Sequence, residues 1–127
     1  MPEAVAWHYG SAALGRWHPE TVRRIARNQC YLVAMYYPKR YAWSILIGQA
    51  LWGLVAARHG AGRAWLRGKV EGLRGSPHLQ KQCEISDAMA LGSWLGRNEE
   101  LIGEVQRATT WDWYWRMYFL LTRGGTK

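Results

Sequence analysis

One histidine opens the stretch best able to do chemistry. His8 follows the short apolar run Ala4-Val5-Ala6-Trp7 and precedes Tyr9-Gly10-Ser11-Ala12-Ala13-Leu14-Gly15-Arg16. A strand-like run that ends in a small-residue turn presents one side chain at the end of a sheet. Neutral imidazole is a borderline ligand for an ion such as Mn²⁺, but one ligand alone does not hold a weakly bound divalent ion. Gly10, Ser11 and Gly15 let the backbone run close to a phosphate. Arg16 and Arg27 carry the guanidinium that pairs bidentately with phosphate oxygens, and Asn28 stands beside Arg27. Plainer readings stand next to these. His8 beside Trp7 is a packed, hydrogen-bonded residue, the small residues are an ordinary turn, and Arg23 and Arg24 form a solvated helix face.

The order H-x-G-S-x-x-x-G-R at His8 to Arg16, followed by Ala26-Arg27-Asn28-Gln29 and an apolar helix, resembles the last part of the catalytic domain of inverting family 2 glycosyltransferases of the GT-A fold, rhamnosyltransferase-like. The resemblance continues through Gly53-Leu54-Val55-Ala56-Ala57-Arg58-His59-Gly60 and Arg67-Gly68-Lys69-Val70-Glu71-Gly72-Leu73-Arg74-Gly75. It implies that residues 1–38 are the C-terminal edge of a catalytic domain and residues 39–127 a helical, amphipathic region at a membrane surface. It further implies that His8 helps bind a divalent cation, Mn or Mg, carrying the donor diphosphate, and that Ser11, Arg16, Arg27 and Asn28 contact substrate. The implied partners are a nucleotide-sugar donor and a lipid-linked or glycan acceptor. In that family the donor-binding sheet, the Asp-rich motif and the catalytic base precede the histidine, so no catalytic residue is expected here. No cation is expected to bind firmly, and the chain alone is expected to be inactive.

The elements that must position these residues read as mainly α. At 127 residues the chain is one ordinary domain with a modest core. Ala, Leu, Arg and Gly outnumber the β-branched residues, which favours helix, while 14 glycines are expected to break the helices into short pieces. A short strand and turn over residues 1–18 should precede about five to six helices. His18-Pro19-Glu20 looks like a helix start, with Pro in the first turn, and Pro38 must end that helix. Residues 41–57 carry no charge and read as a buried or interfacial helix, roughly 26 Å long at ~1.5 Å per residue and short of a ~30 Å hydrocarbon core. Residues 61–74 form a basic amphipathic helix. One or two helices follow over 78–108, broken near Gly92 or Gly96. The aromatic cluster Trp111 to Phe119 opens a last helix with Thr110 as its cap, and a disordered tail follows from Arg123.

Charge and aromatic content bear on partners. Seventeen Lys and Arg stand against nine Asp and Glu, a net charge of +8, so the surface seeks anions. Nine Trp and seven Tyr against one Phe favour a boundary between wet and apolar surroundings, a membrane interface or a carbohydrate site. These features also fit a free-standing, basic, Trp-rich peripheral membrane module without enzymatic activity. An anionic membrane surface is thus an expected partner, whereas nucleic acid ranks last because the aromatics cluster in apolar helices and no nucleic-acid motif is present. Cys30 and Cys83 lack paired spacing, and the N-terminus has no export signal, so a reduced, cytoplasmic protein on the inner face of the membrane is expected. No serine elbow and no P-loop order is present, and His18, His59 and His78 lack metal-ligand spacing.

Overall fold

The computed structural model describes residues 15, 17–79 and 85–123, and among these it is mainly helical, with five α-helices and no strand. The expected strand over 1–9, together with His8, Ser11, Arg16, Cys83 and the tail 124–127, lies outside the described residues.

Helix α1 spans Pro19–Tyr36. His18 caps it through its ring, Nδ1 accepting from the Glu20 backbone N–H at 3.2 Å, and Pro19 needs no donor at the first position. Its apolar positions recur at helical spacing, and Val22 and Ala26 are fully buried. Tyr37 turns extended before Pro38, because the proline ring excludes the α conformation there. A short 3₁₀ turn, Lys39–Tyr41, leads into α2, Ala42–Arg58. Helix α2 ends at a left-handed glycine: Gly60 has φ 78°, its N–H reaches the Ala57 carbonyl at 3.0 Å, and the Ala61 N–H reaches Ala56 at 2.8 Å. That pair of bonds satisfies the last free carbonyls and reverses the chain.

Helix α3, Gly62–Gly75, runs antiparallel to α2 and parallel to α1. Its glycines do not break it. A Cβ at Gly68 would overlap the Arg23 carbonyl, one at Gly72 would lie 2.7 Å from Cys30 Cβ, and one at Gly75 would lie 2.6 Å from the Tyr31 hydroxyl. The glycines therefore form a seam that lets α1 and α3 meet backbone to backbone. The seam carries ion pairs as well, which corrects the reading of Arg23 as solvated. Arg23 binds Glu20 at 2.7 Å and also pairs with Glu71 of α3, while the exposed Arg24 binds Glu20 at 2.7 Å.

After a second 3₁₀ turn, Ser76–His78, α4 spans Ile85–Ala108 without interruption. The expected break near Gly92 or Gly96 is absent, since a helix interior tolerates glycine at a cost of about 1 kcal/mol each. Helix α5 is Trp113–Arg123, so Arg123, expected to begin a disordered tail, is the last residue of a helix instead. Its cap is Asp112, whose carboxylate accepts from the Tyr114 N–H at 2.8 Å, rather than Thr110. The core lies where α1, α2 and the α2–α3 turn meet, with Val22, Ala56 and Ala61 surrounded by Trp17, Trp52, Ala64 and Trp65. Trp17 in turn stacks on the exposed His59 ring with centroids 4.1 Å apart.

Candidate functional site

Helix α2 is flanked on two sides. On one, Gly53 gives room for the Trp65 ring of α3, and a Cβ there would sit 2.7 Å from it. On the other, α5 packs through Tyr114, which donates to the Gly48 carbonyl at 3.0 Å, and through Trp43, whose Nε1 donates to the Leu121 carbonyl at 3.3 Å. Two faces of α2 remain, and they differ in character.

The first lines a cleft of about 550 Å³ between α1, α2, α4 and α5. Gln29, Ile45, Gln49, Trp52, Glu99 and Tyr118 represent its mixed lining. Behind the two glutamines lies Lys69, only 8% exposed. Its ammonium donates to Gln29 Oε1 at 2.8 Å and to Gln49 Oε1. Burial pushes Lys69 below the ordinary range of lysine, because a charged form loses hydration. On the opposite wall Tyr118 donates to Glu99 Oε1 at 2.9 Å. Burial first, and then that hydrogen bond to a carboxylate, push the Tyr118 phenol up to about 12. Tyr114 is also raised, by burial.

The second face points away from the cleft. Trp43, Leu46 and Leu54 share one helical stripe on α2, and all are exposed, Leu46 at 59%. On α3, Leu66, Val70 and Leu73 form a second exposed stripe, Leu66 at 58%. Because α1 covers α3 on the cleft side, this stripe emerges on the other side, beside that of α2. Trp113, Met117 and Leu120 of α5 are likewise exposed and turned from the cleft that Tyr114, Trp115 and Tyr118 line. Three helices thus present one apolar face. Arg63, Arg67 and Arg74 follow its α3 border, Lys39 and Arg58 stand at the ends of α2, and Arg116 lies on α5; all are exposed. Arg40 instead turns toward Gly92 of α4 and the Tyr41 ring on the cleft side.

Of the site residues expected from sequence, the described residues include Arg27 and Asn28. They are neighbours on α1, Arg27 half-buried and Asn28 exposed, with Arg27 Nε donating to Asn28 Oδ1 at 3.2 Å and the guanidinium 5.8 Å from the Tyr31 ring. Neither lines the cleft. No cluster of metal-ligating side chains exists among the described residues, and no described helix is long and apolar enough to cross a membrane. Lys69, Gln29, Gln49 and Glu99 escaped sequence reasoning. The available signal was the lysine's position on α3, one residue from a seam glycine and facing α2. Compared with protein-family models, with curated proteins and with solved structures, the chain gives no match.

Proposed function

We propose that this chain is a membrane-surface module whose α2–α3–α5 face rests in the headgroup region of an anionic bilayer. The observation that supports this reading is the apolar face itself, open on three helices and bordered by exposed arginines. Leucine and tryptophan enter the boundary with acyl chains, while long arginine stems lie along it and keep their charge among phosphates. Helix α2 lies in the surface in this reading and does not span.

Flotation with vesicles of phosphatidylglycerol and phosphatidylcholine tests it. The expected result is co-flotation at low salt, lost in the double variant Leu46→Asp/Leu66→Asp, whose positions are too exposed to matter to the core. Protein that stays at the bottom of the gradient sinks the reading. So does a double variant that floats as well as the parent, or a stable dimer that hides the face and ignores vesicles.

A second reading keeps the sugar-transfer resemblance. In it residues 1–38 complete the donor-diphosphate site of a family 2 glycosyltransferase, a remnant of the GT-A domain, and the helices bring the enzyme to a lipid-linked or polysaccharide acceptor on the cytoplasmic side of the membrane. The adjacency of Arg27 and Asn28 on α1, the first half-buried and the second exposed, favours it. The divalent cation belongs to the whole enzyme, and the chain by itself is expected to show no turnover. Release of nucleoside diphosphate from a sugar donor by the purified chain overturns that expectation.

A further inference from the structure

The membrane reading makes no use of the cleft on the opposite side of α2, whose α1–α2 wall is backed by a cation and whose α4 wall carries a carboxylate. On the α1–α2 wall the Lys69 ammonium takes the side-chain oxygens of both Gln29 and Gln49. With the ammonium on each oxygen, the amide N–H groups are the donors that each glutamine still has to offer. Two amide donors backed by a buried cation attract an anionic oxygen.

On the α4 wall, Glu99 is the charged side chain of the lining. One of its oxygens accepts from Tyr118, and the other is left to a ligand. Around it stand aromatic rings held edge to face: Tyr114 and Trp115 at 4.9 Å, Trp115 and Tyr118 at 5.7 Å. Ring faces beside a carboxylate hold an organic ammonium. Leu32, Val33, Ile45, Leu95 and Ile102 supply apolar lining beside the polar Ser44 and Asn98.

A purely cationic or purely anionic ligand gains at one wall and loses at the other. An uncharged one leaves both walls unmet. We propose that the cleft binds a small zwitterion of the amino-acid class with a bulky apolar body, its carboxylate at Gln29 and Gln49 and its ammonium at Glu99 and the surrounding rings. A volume of about 550 Å³ lies in the usual range for such sites.

Calorimetry on the full chain tests this with phenylalanine and 6-aminohexanoate as probes, one with adjacent charges and one with separated charges. At least one should bind saturably. Its singly charged counterparts, phenylalaninamide and 3-phenylpropionate or hexylamine and hexanoate, should bind at least tenfold more weakly. Glu99→Gln keeps an acceptor for Tyr118, so the fold is retained. It should weaken the zwitterion at least tenfold while leaving the monoanion unchanged or tighter. Lys69→Met should have the converse selectivity, with Glu99→Gln as the deciding variant if Lys69→Met does not fold. Absence of binding by both probes overturns the proposal, as does equal binding of the singly charged counterparts or an unaltered affinity in Glu99→Gln. Vesicle binding involves the other face, so failure of either proposal leaves the other standing.

Discussion

Glu20 and Tyr118 are pulled in opposite directions by their neighbours, and each makes the fold depend on pH in its own window. Hydrogen bonds from Arg23 and then Arg24 hold the Glu20 carboxyl at about 2, below its ordinary 4.5. A carboxylate with a depressed value stabilises the fold above its unfolded value and loses that contribution as pH falls through the folded one. The stability difference between parent and Glu20→Gln should therefore be present at pH 6 and vanish toward pH 2, read from thermal midpoints. Tyr118, raised to about 12 from 10.0, behaves conversely. Its neutral form favours the fold, and that contribution is whole below pH 10 and disappears as pH rises through 12. An ultraviolet titration of phenolate should show a late phase near 12 that Tyr118→Phe removes. Lys69 illustrates what a single position conceals. In sequence it is one more cation on a basic helix, and only the meeting of α1, α2 and α3 turns it into a buried charge between two amides.

Among the elements, α1 and α3 show how a residue type can be read the wrong way. Glycine favours helix ends and loops because it has most backbone freedom to lose, so fourteen of them suggested short helices. Yet Gly68, Gly72 and Gly75 recur every three or four positions, which places them on one helix face, and that spacing is the legible signal of a close helix pair. Gly68→Ala should lower stability by about 1 to 3 kcal/mol, as overpacked contacts do, measured by urea unfolding. Gly96→Ala should leave the midpoint unchanged or raise it, since nothing lies within 4 Å of a Cβ there and alanine is the better helix former. The helix bounds before residue 79 followed from local rules: a proline start, a proline stop and a charge-free run. Asp112 displaced Thr110 as a cap because both residue types serve, and only the backbone direction chooses between them. The cleft was not legible, since its walls come from four helices and no local pattern in any one of them marks the face that meets the others.

For the molecule as a whole, α2 separates an exposed apolar surface bordered by arginines from the cleft, and the proposed membrane contact runs through the first of these. Vesicle affinity should fall as salt rises, because screening shortens from about 10 Å at 0.1 M to about 3 Å at 1 M. A residue of binding should persist through the apolar contribution, and flotation across a salt series reads both parts. Helix α4 adds a consequence of a different kind. It shares no extended packing with another helix among the described residues and is tied by the Tyr118–Glu99 bond at 2.9 Å and by the close approach of Gly92 to Tyr41. Segments held by few apolar contacts open far more often than the global fold. The amides of α4 should therefore exchange with deuterium well ahead of those in α1 and α3. Since Glu99 sits on α4, any occupant that reaches across the cleft will slow that exchange, which makes deuterium uptake by this one helix a direct gauge of occupancy.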